Sequence, residues 1–380
     1  MWSMRKVALA LLIISALILS AVPSAYAGLN AEVNLDNPRV VPIWGASSVT
    51  EGASNRGWWS GYLYSSRIVL TAAHSTYIFD SDKNRQINEP PFIMVGKPNS
   101  NVKNPVGAVK VIKTLVADYK LGKTGFSIND FIVYVLEKDL VPMAPSKLLT
   151  PEIERELVAA KAELDYHGYG EYRDRCAPGQ SAPCQKDWND PNQSGSDLPR
   201  INKINLAPIT DFTWMNPDIK SDLQFETFIS KHKGCSGDSG GPITVMYQNE
   251  LTFLGQGLLG ARVYACGAGG AKSKENDEQS FGFFSPVHKH LYLIKQAEEL
   301  VAQQEASERA AEKAAAELKA KQEAEAKAAA ELKAKQEAEA KVAVVKAAAS
   351  KKTTITCVKG KLTKKITAVN PKCPAGYKKR

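Results

Sequence analysis

The 380-residue chain is poor in several features, and each scarcity narrows its interpretation. Beyond residue 22 it has no apolar run long enough to cross a bilayer, which excludes a later membrane-spanning helix. Histidine is limited to five residues, so few side chains are available as a catalytic base. Glycine and proline are absent from Val287 to Lys359, and acidic residues are absent from Lys351 to Arg380. These two absences predict a long helix and a tail of purely positive charge.

The one extended apolar run lies near the start of the chain. A basic stretch that includes Arg5 precedes the uncharged residues 7–22, and Pro23-Ser24-Ala25-Tyr26-Ala27 follows. This order is typical of a secretory signal peptide with an Ala-x-Ala cleavage site. We therefore expect a signal peptide at residues 1–27, a processed chain beginning at Gly28, and export to a compartment where disulfides persist.

Two short motifs carry catalytic chemistry. Thr71-Ala72-Ala73-His74 follows the apolar run Arg67-Ile68-Val69-Leu70, which predicts a strand ending just before the histidine. Gly237-Asp238-Ser239-Gly240-Gly241-Pro242 predicts a tight turn, and its serine lies 165 residues after the histidine. A serine hydroxyl needs a base, a group that orients the base, and donors for the oxyanion. The motifs supply Ser239 as nucleophile and His74 as base.

The remaining parts of such a site also have candidates. Asp130 begins an apolar strand, Asn129-Asp130-Phe131-Ile132-Val133, and would orient the base, although an Asn-Asp pair is also common in turns. The backbone N–H groups of Gly237 and Ser239 would form the oxyanion hole. The other histidines lack such surroundings, and we interpret them as structural or solvent-facing: His167, His232, His288 and His290.

The chain order His, Asp, Ser, with both motifs, resembles the chymotrypsin/trypsin-like family of serine peptidases. The resemblance covers about residues 40–297, and further matches occur in order at Gly168-Tyr169-Gly170, Gln256-Gly257-Leu258-Leu259 and Gly282-Phe283-Phe284. It implies an all-β fold of two packed six-stranded antiparallel β-barrels, here followed by a long C-terminal α-helix and a short basic tail. It also implies an endopeptidase that hydrolyses protein or peptide substrates through an acyl-enzyme on Ser239, with no metal or organic cofactor.

The resemblance further implies how the cysteines pair. The six cysteines would form three pairs: Cys176 with Cys184 in a variable surface loop, Cys235 with Cys266 beside the specificity pocket, and Cys357 with Cys373 in the tail. The family's usual disulfide beside the catalytic histidine is missing, since Trp59 and Ser75 occupy its two positions. We expect packing to hold the loop of His74 instead.

The specificity pocket is expected to be basic. In the resembling family the residue six positions before the nucleophile lies at the pocket base, and here it is Lys233. Alignment through the cysteine pair places Gly260, Ala261 and Arg262 on the pocket wall. Two cations would favour an acidic residue before the scissile bond. Alternatively, Lys233 turns outward to water and leaves a shallow apolar pocket.

Activation has two open alternatives. Members of the resembling family often gain a new N-terminus that pairs with the aspartate preceding the nucleophile, here Asp238. Arg39-Val40-Val41-Pro42 offers a cleavage site but lacks the usual paired glycines after it. Either Val40 becomes the N-terminus, or Asp238 finds another partner, because an unpaired buried carboxylate would be costly.

The region after the peptidase-like part is a helix-forming repeat. A 14-residue unit occurs twice without change, at 314–327 and 328–341. It contains Glu-to-Lys pairs four residues apart, the favoured orientation on a helix: Glu317/Lys321, Glu323/Lys327, Glu331/Lys335 and Glu337/Lys341. Only Leu318 and Leu332 are large and apolar, so a semi-rigid solvated spacer is favoured over a coiled coil.

The basicity of the chain belongs to its tail. Residues 351–380 carry ten Lys or Arg, so the net charge of +9 leaves −1 for the residues before them. The tail resembles a C-terminal element of exported actinobacterial proteins; it either solubilises the chain or binds an anionic cell-wall polymer or membrane surface, with no nucleic acid partner.

We expect a monomer with a peptidase domain at 28–297, a helical spacer at 298–349 and the tail at 350–380. The alternative is an inactive binding protein or adhesin on a protease fold, tethered to the cell envelope.

Overall fold

The computed structural model describes residues 32–48, 58–79, 85–87, 92–102, 107–121, 127–170, 198–205, 229–230, 238–257 and 282–380. The predicted signal peptide lies outside these residues. The chain divides into two compact units, residues 1–303 and 304–380. Within the described residues, no helix combines the length and the apolar character that crossing a membrane would require.

The first unit is built mainly from short strands. Up to residue 136 they are β1 Glu32–Val33, β2 Val40–Ala46, β3 Trp58–Ser65, β4 Ile68–Thr71, β5 Tyr77–Phe79, β6 Arg85–Ile87, β7 Phe92–Val95, β8 Val109–Val116, β9 Lys120–Leu121, β10 Ser127–Ile128 and β11 Ile132–Leu136. After them come β12 Lys147–Leu148, β13 Glu163–Gly168, β14 Arg200–Asn205, β15 Ile229–Ser230, β16 Pro242–Tyr247, β17 Glu250–Gly257 and β18 Gly282–Pro286. Two α-helices accompany the strands in the described residues: α1 Pro151–Ala159 and α2 Leu291–Ala349.

Six strands close into an antiparallel barrel in the order β11–β4–β3–β2–β7–β8. Successive side chains of a strand point to opposite faces, and in β11 both faces are apolar. Ile132 and Tyr134 join the cluster inside the barrel, whereas Val133 and Val135 join a second cluster outside it. The strand is therefore a continuous apolar run, since both of its faces are buried.

The second half of the first unit forms an eight-stranded sheet. Its strands run β1–β14–β13–β16–β17–β18–β15, and β12 pairs in parallel with β17. The mostly β architecture and the long C-terminal helix are confirmed, together with one closed six-stranded barrel. The predicted second barrel is not closed by the described residues, because the stretches 171–197, 206–228 and 258–281 between its strands lie outside them.

A shared core joins the barrel to the eight-stranded sheet. The rings of Tyr62 and Phe253 stack with centroids 4.4 Å apart, and both side chains are fully buried. The first turns of α2 add Leu293, Ile294 and Ala297 to the same cluster. Each large apolar side chain buried there contributes about 1.5–3 kcal/mol to stability, so the shared core stabilises both halves.

Helix α1 begins with a side-chain cap. The hydroxyl of Thr150 accepts the backbone N–H of Ile153 at 3.3 Å, and Pro151 occupies the first turn, where its missing N–H has no helical partner to lose. Ile153 and Leu157, four residues apart, face the shared core. The cap and this apolar face fix the connection between the two halves.

Helix α2 has 59 residues and is mostly exposed beyond its first turns. Three of its ion pairs join a lysine to the glutamate four residues later: Lys313–Glu317, Lys319–Glu323 and Lys321–Glu325, at 3.9–4.0 Å. A fourth has the opposite order, with Glu305 four residues before Arg309. Glu317 and Glu323 therefore pair with the preceding lysine and not, as predicted, with Lys321 and Lys327. Exposed pairs of this kind stabilise a helix little, and helix propensity of the alanine-rich repeat explains the length better.

The second unit ends in a small sheet rather than an irregular tail. Its strands are β19 Thr353–Lys359, β20 Leu362–Ala368 and β21 Lys378–Lys379, in the order β20–β19–β21. Cys357 is buried and forms a disulfide with Cys373. The crosslink attaches the stretch between β20 and β21 to the central strand.

Candidate active site

The pairing of two barrel strands brings His74 and Asp130 together. Strands β4 and β11 are antiparallel, with Thr71 opposite Ile132. The residues just after β4 therefore lie beside those just before β11. His74 occupies a short 3-10 turn after β4, and Asp130 lies two residues before β11.

Three hydrogen bonds connect histidine, aspartate and serine. The backbone N–H of His74 donates to Asp130 Oδ1 at 2.8 Å. The ring nitrogen Nδ1 of His74 lies 2.6 Å from Asp130 Oδ2, and Nε2 lies 2.7 Å from Ser239 Oγ. A carboxylate only accepts hydrogen bonds, so Nδ1 carries the proton and Nε2 is left to accept the hydroxyl of Ser239.

Burial and the nearby charge shift the pKa of His74 in opposite directions. Its side chain is 11% exposed and that of Asp130 is 1% exposed. Burial alone would lower the pKa of His74, but the charge of Asp130 and its hydrogen bond outweigh this, so the pKa is raised above its usual 6.5. Asp130 therefore stabilises a positive charge on the imidazole.

A turn with unusual backbone geometry holds the aspartate. Asn129 has φ +56°, a left-handed conformation that asparagine tolerates better than most residues. Its side-chain amide donates to the carbonyl of Asp118 at 3.0 Å, and its carbonyl accepts the N–H of Phe131 at 2.7 Å. The Asn-Asp pair thus does form a turn, and this turn is what places Asp130 beside His74.

The turn that carries Ser239 requires glycine. Gly240 has φ +74°, and a Cβ there would lie 2.0 Å from Thr71 Oγ1 and 2.5 Å from the carbonyl oxygen of Ser60. A Cβ at Gly241 would lie 2.2 Å from the carbonyl oxygen of His167. The turn can pack this closely against the barrel only because it lacks side chains.

Ser60 is a positioning residue that the sequence did not reveal. Its N–H donates to the carbonyl of Ser239 at 2.9 Å, and its carbonyl accepts the hydroxyl of Thr71 at 2.7 Å. Its own hydroxyl accepts the N–H of Tyr169 at 2.9 Å. The serine that follows Trp58-Trp59, within a mostly apolar run, was the signal that could have identified it.

The carboxylate of Asp238 has a backbone partner. Its Oδ1 accepts the N–H of Gly170 at 2.8 Å, and a Cβ on Gly168 or Gly170 would come within 2.3 Å of that oxygen. The two glycines of the segment Gly168-Tyr169-Gly170 thus have a steric role. Both make room for the side chain of Asp238, which is 6% exposed.

Val40, the candidate N-terminus, is fully buried at the start of β2. The guanidinium of Arg39 donates to the carbonyls of Leu63 at 3.0 Å, Tyr64 at 2.7 Å and Ala144 at 2.9 Å. The uncleaved Arg39-Val40 bond is therefore an integrated part of the barrel.

Of Trp59 and Ser75, the two positions expected to replace a disulfide beside His74, Trp59 contributes packing. Trp59 lies in the cluster inside the barrel with Ala73 and Tyr77, which flank His74. The indole Nε1 of Trp59 and the hydroxyl of Ser75 are buried and have no hydrogen-bond partner among the described residues. Trp59 therefore adds apolar contact to a loop whose polar links are those of His74 to Asp130.

A second histidine, His290, packs against Phe131, the residue after Asp130. The ring of His290 stacks on Phe131, with centroids 4.4 Å apart, and its Nε2 lies 3.0 Å from Ser285 Oγ. Burial lowers the pKa of His290 to about 4, so the ring is neutral at physiological pH. The neutral ring packs against Phe131, which lies between Asp130 and the start of β11.

The other described histidines are also structural. Burial lowers the pKa of His167 to about 4, and Nδ1 of His288 lies 3.2 Å from Glu154 Oε2 in a buried pair. None of these rings contacts Ser239 in the described part of the chain. His232 lies outside it.

Several predicted site residues lie outside the described residues: Gly237, Lys233, Gly260, Ala261, Arg262, Cys176, Cys184, Cys235 and Cys266. The oxyanion hole, the specificity pocket and two of the disulfides thus remain predictions.

Comparison with family models and with curated proteins gives no match for this chain. The described geometry nevertheless defines what the site can do: a serine hydroxyl donates to a base whose other nitrogen is held by a buried carboxylate.

Proposed function

We propose that the protein is a serine endopeptidase, with Ser239 as nucleophile, His74 as general base and acid, and Asp130 as the group that orients His74. The observation that carries the proposal is the continuous hydrogen-bond chain from Ser239 Oγ through both nitrogens of His74 to Asp130. A binding module has no need of such a chain, whereas acyl transfer by serine requires each part of it.

In the acylation step, Ser239 Oγ attacks the carbonyl carbon of the scissile peptide bond. His74 Nε2 takes the hydroxyl proton, and the carbonyl oxygen becomes the oxyanion of a tetrahedral intermediate. The intermediate collapses when the C–N bond breaks and His74 returns the proton to the leaving amine. The products of this step are the free amine and an ester on Ser239.

In the deacylation step, water takes the place of the amine. His74 removes a proton from water as the water oxygen attacks the ester carbonyl, which gives a second tetrahedral intermediate. The bond between the acyl carbon and Ser239 Oγ then breaks, His74 returns the proton to Oγ, and the carboxylic acid product leaves. Asp130 remains ionised throughout and stabilises the imidazolium that forms twice in the cycle. The backbone N–H groups of Gly237 and Ser239 are the proposed donors to the oxyanion.

We further infer a chymotrypsin-like arrangement of two barrels. The chain order His, Asp, Ser and the closed first barrel support it. The eight-stranded sheet packed against that barrel, which carries the turn of Ser239 before β16, would correspond to the second barrel.

The proposed substrate preference is an acidic residue before the scissile bond. It rests on Lys233 and Arg262 in the sequence and on charge pairing in a small pocket. Cleavage of a mixed peptide library would be expected mainly after Glu or Asp. Cleavage mainly after Lys or Arg would rule the preference out.

A fluorophosphonate probe tests the proposed chemistry directly, because it reacts with an activated serine. We expect the purified chain to be labelled at Ser239, and Ser239→Ala to remain unlabelled. Ser350→Ala, which removes an exposed hydroxyl after α2, is the matched control and should be labelled like the parent chain. Absence of labelling in the parent chain would favour the inactive binding protein.

A further inference from the structure

The sheet of the second unit presents a polar face that follows from its strand register. Residues directly opposite each other lie on the same face of an antiparallel pair. Thr354 pairs with Thr367, Thr356 with Lys365, and Val358 with Thr363. The same face therefore receives every second residue of β19 and β20.

Strand β21 extends this face on the other side of β19. Lys378 is opposite Val358, and Arg380 donates its backbone N–H to the carbonyl of Thr356 at 2.9 Å. Arg380, Thr356 and Lys365 thus lie side by side across three strands. We call the whole set the threonine-lysine face: Thr354, Thr356, Val358, Thr363, Lys365, Thr367, Lys378 and Arg380.

The opposite face of the sheet is partly covered by its own chain and also carries the exposed lysines Lys359, Lys364 and Lys379. Cys357 and the half-buried pair Ile355 and Ile366 lie there, and the disulfide to Cys373 fixes the stretch before β21 against them. The side chain of Lys359 lies within 3.1 Å of the Cβ position of Gly376 in that stretch. The small core of the sheet is therefore on this side.

The threonine-lysine face combines exposed cations with hydroxyl groups. Lys365, Lys378 and Arg380 are exposed, as are Thr354 and Thr367, whose hydroxyls are hydrogen-bonded to each other at 2.7 Å. No acidic side chain occurs in residues 351–380. Threonine hydroxyls and cationic side chains are both donors to phosphate oxygens.

We propose that the threonine-lysine face binds a linear polymer of polyol phosphate, with Lys365, Lys378 and Arg380 as its cationic contacts. The three cations are distributed over an extended surface rather than gathered in one pocket, which suits a repeating anion. Charge complementarity and access are the basis of this assignment: the face is cationic without any compensating carboxylate, and the stretch that the disulfide holds covers the other face. The binding is independent of the proposed catalysis.

The chemistry of the face disfavours two other anionic partners. A membrane-binding surface inserts large apolar groups such as Trp, Phe or Leu, whereas the only apolar residue here is Val358, which is half-buried. Single-stranded nucleic acid is held largely by stacking of bases on aromatic rings, and this face has no aromatic residue. A phosphate chain without bases or acyl chains fits the residues present.

The test measures binding of the purified full chain to poly(glycerol phosphate) as a function of salt. The face variant carries Lys365→Gln, Lys378→Gln and Arg380→Gln. The control variant carries Lys351→Gln, Lys361→Gln and Lys372→Gln, which remove the same charge at exposed positions outside the three strands. Thiol titration verifies in both variants that the Cys357–Cys373 disulfide has formed.

We expect the face variant to bind at least about tenfold more weakly at low salt, and the control variant to bind within about threefold of the parent chain. Each phosphate contact contributes about 0.7 to the slope of log K against log salt in single strands. The slope should therefore fall by about 2 in the face variant only. Ser239→Ala should bind like the parent chain, so the result does not depend on the proposed peptidase function.

Three outcomes would overturn the proposal. Equal weakening of both variants would mean that the ten cations act only through total charge. Tighter binding to vesicles of phosphatidylcholine and phosphatidylglycerol, or to oligo(dT), than to poly(glycerol phosphate) would assign another partner. No binding by the parent chain would exclude the site.

Discussion

The backbone N–H of Ser60 donates to the carbonyl oxygen of Ser239 at 2.9 Å. The carbonyl of Ser60 accepts the hydroxyl of Thr71, which ends the strand before His74. One residue of β3 therefore links the turn of Ser239, the proposed nucleophile, to the strand that leads to His74, the proposed base. Productive geometry at a serine nucleophile tolerates little displacement.

Gly240 is the position where this geometry is most sensitive. In Gly240→Ala the methyl group would lie 2.0 Å from Thr71 Oγ1, at φ +74°, so the turn must move away from the barrel. We expect kcat/KM for a peptide substrate to fall by about 10²-fold or more. Gly360→Ala is the matched control: it also has positive φ, but a Cβ there meets nothing within 4 Å. Parent-like activity of Gly240→Ala would contradict the proposed role of the turn.

The activity should depend on the protonation of His74. Protonated imidazole cannot accept the proton of Ser239, and Asp130 raises the pKa of His74 above 6.5 against the effect of burial. We therefore expect kcat/KM to fall as the pH drops through a midpoint above 6.5. Asp130→Asn removes the raising effect, so the midpoint should move to lower pH while kcat falls about 10⁴-fold. A pH profile from 5 to 9 decides this, and an unchanged midpoint would exclude Asp130 as the cause.

The free energy of unfolding should also depend on pH, here through a histidine whose pKa is lowered rather than raised. Burial lowers the pKa of His290 from 6.5 to about 4 in the folded chain, so between these values the unfolded chain binds more protons. The free energy of unfolding is then highest above pH 6.5 and is lost as the pH falls toward 4, by about 3 kcal/mol for one such group. His290→Phe keeps a ring against Phe131 and should flatten this loss in urea unfolding curves measured from pH 4 to 7. The same loss in the variant and the parent chain would assign the effect to other groups, of which His167 is the first candidate.

Activity should not require cleavage between Arg39 and Val40. Three carbonyls hold the guanidinium of Arg39, and Asp238 already accepts the N–H of Gly170, where a new ammonium group would otherwise be needed. The intact mass of the fluorophosphonate-labelled chain should therefore include the residues just before Val40. A labelled species that begins at Val40 would mean that activation proceeds by cleavage there.

Much of the first barrel could be predicted from local patterns. Arg67-Ile68-Val69-Leu70 and the run after Asp130 are apolar on both faces, and the structure has both as buried barrel strands. The long helix followed from the absence of glycine and proline. Which glutamate and lysine pair along this helix could not be predicted. Alternative exposed pairs differ by only a few tenths of a kcal/mol, so side-chain rotamers decide between them.

The tail shows where composition was insufficient. Ten cations without a carboxylate predicted its charge but not its order. Alternation in Thr354, Thr356 and Val358 opposite Thr363, Lys365 and Thr367 separates a polar face from Ile355, Cys357 and Ile366. The period of two was present in the sequence, but the high lysine content obscured it.

The sequence by itself determined the chemical groups of the candidate site, because Ser239, His74 and Asp130 occur in motifs whose residue types the chemistry demands. The tertiary structure alone decided which groups hold them. Ser60 lies 179 positions before Ser239 in the chain, and Gly170 lies 68 before Asp238. Contacts between such distant residues depend on strand register and barrel closure, which arise from the packing of the whole core.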